Sequence, residues 1–106
     1  MMISKKYNDT YGIDQSDFKR LIDVISSNNK VSEAILFGSR AKENYKNYSD
    51  VDIALKTNDL TFDELLDIKV MLEDLMLPYY IDVLDYDKIK NQNLKDHINR
   101  VGIRII

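Results

Sequence analysis

Residues 37–55 read FGSRAKENYKNYSDVDIAL, and the two apolar runs joined by this segment decide how the chain folds. Ala34-Ile35-Leu36-Phe37 has the pattern of a buried strand, and Gly38 permits a tight turn with close backbone approach. On the far side, Val51, Ile53 and Leu55 alternate with Asp50, Asp52 and Ala54, the period of a strand that buries one side. Asp50 and Asp52 therefore share a face, roughly 6.5–7 Å apart. Two oxygen ligands at that spacing can bracket hard cations, and Mg²⁺ suits them because it takes one or two carboxylates plus substrate phosphates. Ser39 is placed as the N-cap of a short helix running to about Tyr45, whose free N–H groups would face an anion.

Upstream, Phe18, Leu21, Ile22 and Ile25 follow helical spacing, so residues 15–28 are expected to form an amphipathic helix ended by Asn28-Asn29. Downstream, Thr61 and Glu64 form a capping box for a helix whose buried stripe is expected from Phe62, Leu65, Leu66, Leu72 and Leu75, with Pro78 as its stop. The run Tyr79 to Leu84 then reads as a strand interrupted by Asp82. Local pattern leaves two readings of that strand: Tyr80, Asp82 and Leu84 on a solvent side, or Asp82 as a carboxylate satisfied by a cation. Asp85 and Asp87, past the strand end, are expected to cap the next helix. Lys88 to Arg100 reads as that helix, with an interruption near Asn91-Gln92-Asn93, and Gly102 releases Ile103-Arg104-Ile105-Ile106. That tail either adds an edge strand, the favoured reading, or lies against a partner. The expected class is α/β (α+β), with a small mixed sheet of three to five strands packed with helices.

With 106 residues, 44% of them hydrophobic, the chain suits one core and is expected to be a single domain over 1–106. A net charge of −3 without a dense Lys/Arg block argues against nucleic acid as a general partner. The sequence contains no cysteine, which excludes disulfides and thiolate metal sites. It also holds no apolar run long enough to span a membrane, and Met1 to Lys6 lacks the apolar region of a signal peptide, so a cytoplasmic location is expected. His97, the sole histidine, reads as a surface or packing residue more readily than as a metal ligand.

Gly38, Ser39, Arg40 and Ala41, a polar loop, then Ser49, Asp50 and Asp52 resemble the minimal nucleotidyltransferase (MNT) family, part of a superfamily with a palm-like domain. The resemblance runs over about residues 31–106 and includes a third acidic position, for which Asp82 is the candidate. It implies that Asp50, Asp52 and Asp82 are the catalytic and metal residues, holding two Mg²⁺ ions, and that Gly38, Ser39 and Arg40 bind the triphosphate of ATP. MNT proteins typically pair with HEPN-domain ribonuclease toxins, and some neutralise the toxin by adding AMP to a tyrosine. The implied role is thus the antitoxin of a type VII-like HEPN/MNT toxin–antitoxin pair, acting as a protein adenylyltransferase. Two alternatives stand beside it: an inactive antitoxin that neutralises by direct binding, and a nucleotidyltransferase for an aminoglycoside-like alcohol. A homo-oligomer is left open.

Around this motif several residues carry two readings. Arg40 could reach a phosphate, or form a surface pair with Glu43. Tyr45 and Tyr48 could stack on an adenine, though packing of the loop is the commoner use of such residues. Glu43 stands where many family members have glycine, so a firmer helix after Ser39 is expected.

Overall fold

The computed structural model describes residues 11–46 and 49–106. The signal-peptide reading of Met1 to Lys6 and the stacking reading of Tyr48 lie outside them. Among the described residues the order is α1 (Gln15–Ser26), β1 (Val31–Phe37), β2 (Val51–Thr57), α2 (Phe62–Glu73), β3 (Ile81–Asp85), a 3₁₀ turn (Tyr86–Lys88), α3 (Gln92–Val101) and β4 (Ile103–Arg104). The strands form one mixed sheet in the order β3-β2-β1-β4, with β2 and β3 parallel and the other neighbours antiparallel.

Alternation along the strands divides the core into two layers. Leu36, Val51, Ile53, Leu55 and Val83 face α1 and α2, where Leu21, Ile25, Ile68 and Leu72 close over them. Ile35, Phe37 and Ala54 face the other way and are covered by Ile98 of α3, with Leu84, Leu94 and Val101 at the margin. The face carrying Asp82 and Leu84 is therefore a second covered layer, not simply a solvent side.

Local chemistry sets the helix starts. Asp14 caps α1, accepting from Ser16 N at 3.0 Å, Asp17 N at 3.3 Å and the Ser16 hydroxyl at 2.6 Å. These donors, the Ser16 hydroxyl foremost, hold the Asp14 carboxyl below its usual range. The capping box of α2 is complete: Thr61 Oγ1 accepts from Glu64 N at 3.1 Å and Glu64 Oε1 accepts from Thr61 N at 2.9 Å. Asn91 caps α3, so the expected interruption is the true start of that helix.

Two expectations for α2 are corrected. Its buried residues are Ile68 and Leu72, whereas Phe62 and Leu66 face solvent. The register of the helix on the sheet puts Phe62 about 100° and Leu66 about 140° around the helix axis from the line through Ile68 and Leu72. The helix also ends at Glu73, before Pro78 acts on it, and Met76 takes a left-handed conformation at φ +57° in the exit. By contrast, the apolar tail does form an edge strand: β4 pairs antiparallel with β1, and Ile105 N donates to Ala34 O at 2.8 Å. No described helix is long and apolar enough to cross a membrane.

Candidate active site

The parallel pairing of β2 with β3 sets Asp52 directly beside Asp82. In the antiparallel direction Asp52 is the partner of Phe37, the last residue of β1. The two carboxylates thus stand at the starts of neighbouring parallel strands, next to the end of β1, on the face that α3 covers farther along. Both side chains are half-buried, while Asp50, just before β2, is exposed.

Gly38 makes this crowding workable. At φ +77° it turns the chain out of β1, and a Cβ there would lie 2.3 Å from Asp52 Oδ2. Backbone therefore passes against the carboxylate where any side chain would displace it. Gly38→Ala is expected to lower stability by about 2 kcal/mol, from the left-handed backbone plus the contact, as read by urea unfolding.

Asp52 binds its proton more tightly than an ordinary carboxyl. Burial is the main cause, the Asp82 and Asp50 carboxylates add to it, and the His97 imidazole opposes it. His97 lies on α3 with its ring edge-on to Phe37, centroids 6.3 Å apart. The packing reading of His97 holds, and its nearness to Asp52 is new. It follows from three-dimensional closure of α3 over β1, and no local sequence signal points to it.

No three His, Cys, Asp or Glu side chains among the described residues are gathered closely enough to hold a metal ion. Asp50, Asp52 and Asp82 are thus not a preassembled triad; what is in place is the Asp52–Asp82 pair with Asp50 beside it in sequence. The donor set is all oxygen, which fits a hard divalent ion, and a cation there would offset the carboxylate repulsion that raises the Asp52 pKa.

The segment after Gly38 differs from expectation. Lys42 N donates to Gly38 O at 3.2 Å, Glu43 N to Arg40 O at 3.3 Å and Asn44 N to Ser39 O at 3.1 Å, a coil of successive turns with no helix for Ser39 to cap. Glu43 is the reason: it sits at φ +61°, a left-handed conformation that ends a helical run. Instead of firming a helix it occupies a glycine-type position. Glu43→Gly should consequently raise stability, by up to about 1 kcal/mol once the flexibility of glycine in the unfolded chain is subtracted, measured by the urea midpoint.

Arg40 is fully buried, at 0% exposure. Its Nη1 donates to Tyr11 O at 2.9 Å, while Nη2 and Nε donate to Ser49 O at 3.0 and 3.2 Å. The guanidinium lies 5.1 Å from the Tyr45 ring centre and 5.0 Å from that of Tyr79. Both the phosphate reading and the surface pair with Glu43 give way to a structural role, for the fork holds the carbonyl of the residue preceding Asp50. Tyr45 packs in the loop accordingly. At Gly12, a Cβ would come 2.7 Å from Arg40 Nη1 and 2.2 Å from Tyr45 Cε2, so the chain there closes tightly over the same cation.

Asp85 ends β3 and is buried, accepting from Thr57 Oγ1 at 3.1 Å and from Asp87 N at 3.2 Å. Its capping role is as expected, although the element it caps is the 3₁₀ turn and not α3, and it takes no part in the acidic pair. Beside Asp82 a cavity of about 420 Å³ opens between the end of α2 and the start of β3, with Lys69, Glu73, Met76 and Tyr80 on its walls.

Residues 19–106 match the family described as polymerase beta, nucleotidyltransferase. Among solved structures, a toxin–antitoxin crystal structure with AMP-PNP superposes with a TM-score of 0.70 at 21% identity, covering 83% of this chain and 71% of that one. A mutant form of the toxin–antitoxin MntA-HpeT gives 0.68 at 22% identity, covering 84% and 71%. At these identities the likeness is one of fold. No curated protein matches the chain.

Proposed function

The chain belongs to the polymerase beta nucleotidyltransferase family, and from that premise we propose that it is a cytoplasmic, Mg²⁺-dependent protein adenylyltransferase. In this reading it is the antitoxin of a toxin–antitoxin pair, a single domain over residues 1–106 that transfers AMP from ATP to a tyrosine of a HEPN ribonuclease toxin. The observation that carries the reading is the in-register Asp52–Asp82 pair pressed against the Gly38 turn. The fold shared with toxin–antitoxin structures, one of them with AMP-PNP, supports the choice of donor and of a protein acceptor.

The acceptor hydroxyl attacks the α-phosphorus of ATP; an O–P bond forms, the bond to the departing pyrophosphate breaks, and the hydroxyl proton passes to the Asp82 carboxylate. Asp50 and Asp52, with Asp82, would hold Mg²⁺, which supplies neutralisation of phosphate charge in the transition state. Gly38 and Ser39 keep the backbone at the phosphates free of bulk, and Arg40 acts indirectly, by fixing the strand entry that presents Asp50.

Incubation with ATP, Mg²⁺ and the candidate toxin, followed by intact-mass measurement, tests this. Addition of AMP to the toxin, lost in Asp50→Asn and Asp82→Asn, is expected. A tight complex that yields no adduct with any nucleotide would overturn it in favour of neutralisation by binding alone.

A further inference from the structure

The outer face of α2 is apolar where a solvated helix should be polar. Phe62, Leu66 and Val70 are 66%, 40% and 54% exposed, while Ile68 and Leu72 of the same helix fill the core. At about 100° per residue, the three exposed side chains form a continuous stripe, and Asp63, Asp67 and Asp74 form a second column along one side of it. A helix apolar on two opposite faces has a second surface to cover.

The charge pattern says what kind. None of Asp63, Asp67, Glu73 or Asp74 enters an ion pair among the described residues, whereas Glu64, on the body side, pairs with Lys30 at 3.0 Å. A second copy packed antiparallel across a two-fold axis would set acidic column against acidic column in a chain already at −3. The complementary occupant is instead an apolar ridge edged by Lys or Arg. The stripe also has a direction. It runs from Phe62 to Val70, about a turn short of the end of α2, beyond which Met76 and Tyr80, both exposed, wall the cavity at the start of β3.

The geometry points to the outer face of α2 as the docking track for the protein acceptor, a surface with an apolar ridge edged by basic residues, seated on Phe62, Leu66 and Val70 with its far end toward the Met76–Tyr80 cavity at the start of β3. This rests on the protein-acceptor reading above and adds where that acceptor lies and what chemistry it presents.

Two synthetic amphipathic peptides of the same Leu ridge, one edged with Lys and one with Glu, serve as probes by fluorescence anisotropy. The Lys-edged peptide should bind at least about tenfold more tightly, Leu66→Glu/Val70→Glu should abolish that binding with the thermal midpoint unchanged, and Asp63→Lys/Asp67→Lys should reverse the peptide preference. With an acceptor that takes AMP, the double Glu variant should raise its KM about tenfold or more and leave the KM for ATP unchanged. Equal binding of both peptides, an unaltered acceptor KM, or a wild-type dimer in light scattering that the double Glu variant dissolves would each overturn the docking track. Absent AMP transfer with peptide discrimination intact would remove the catalytic reading and leave the basic-edged docking surface standing. Normal transfer with acceptor KM unaffected by the variants would do the reverse.

Discussion

Asp52→Asn should abolish nucleotidyl transfer, by about 10³-fold or more, while making the nucleotide-free protein more stable. The two effects have one origin. Loss of a metal-holding carboxylate removes several kcal/mol of transition-state stabilisation, and about 1.4 kcal/mol corresponds to each tenfold in rate. Without ligand, however, the same carboxylate is half-buried beside Asp82 and Asp50, and its pKa is raised above the ordinary 3.8. In the window from 3.8 up to the folded-state value, the folded chain holds a proton that the unfolded chain has released. Stability therefore falls as pH rises through that window, and the full penalty persists at neutral pH. Thermal melting against pH should show wild type and Asp52→Asn converging near the bottom of the window and separating above it, with the variant the more stable. ATP with Mg²⁺ should raise the midpoint of wild type alone. A variant less stable than wild type at neutral pH would contradict the electrostatic account of the pair.

Arg40→Ala should lower stability by about 3–5 kcal/mol, a large share of the total for a small domain. The substitution orphans the Tyr11 and Ser49 carbonyls, which the charged fork satisfies at 2.9 and 3.0 Å, and removes the cation between Tyr45 and Tyr79. It also leaves a void at a fully buried site. Arg40→Lys should recover only part of this, since one ammonium cannot reach both carbonyls while lying flat between two rings. Urea denaturation reads the loss directly. Were Arg40 a phosphate ligand, the same substitution would leave the urea midpoint in place and raise the KM for ATP.

Features governed by neighbours in sequence are the ones legible without a structure. The capping box at Thr61 and Glu64, the alternation from Val51 to Leu55 and the turn at Gly38 each rest on interactions within a few residues, and each is found in place. The tail is legible for a related reason: Ile103 to Ile106 is too apolar to leave its backbone unpaired, and β1 has an edge to offer. The hidden features depend on contacts across the sheet. Arg40 reads as a surface cation until Tyr11 and Tyr79, far from it in sequence, and Ser49, across the loop, are folded around it. Periodicity shows that α2 has apolar residues on several sides without saying which line the sheet selects, so the expectation for Phe62 and Leu66 falls on the wrong one. Glu43 misleads because helix propensity favours glutamate over glycine, while the turn demands a backbone angle that propensity does not describe.

Because β2 and β3 run parallel, with α2 as the crossover between them, their pairing spans a long stretch of chain and no tight turn fixes its register. A slip of one residue would swing Asp82 into the apolar layer beneath α2 and bring Ile81 or Val83 up beside Asp52. Such a misfolded sheet would bury an uncompensated carboxylate and be strongly disfavoured. The acidic pair thus acts as a proofreader of assembly: the residues that make the sheet hardest to tolerate in any other register are the ones that sit side by side in the right one.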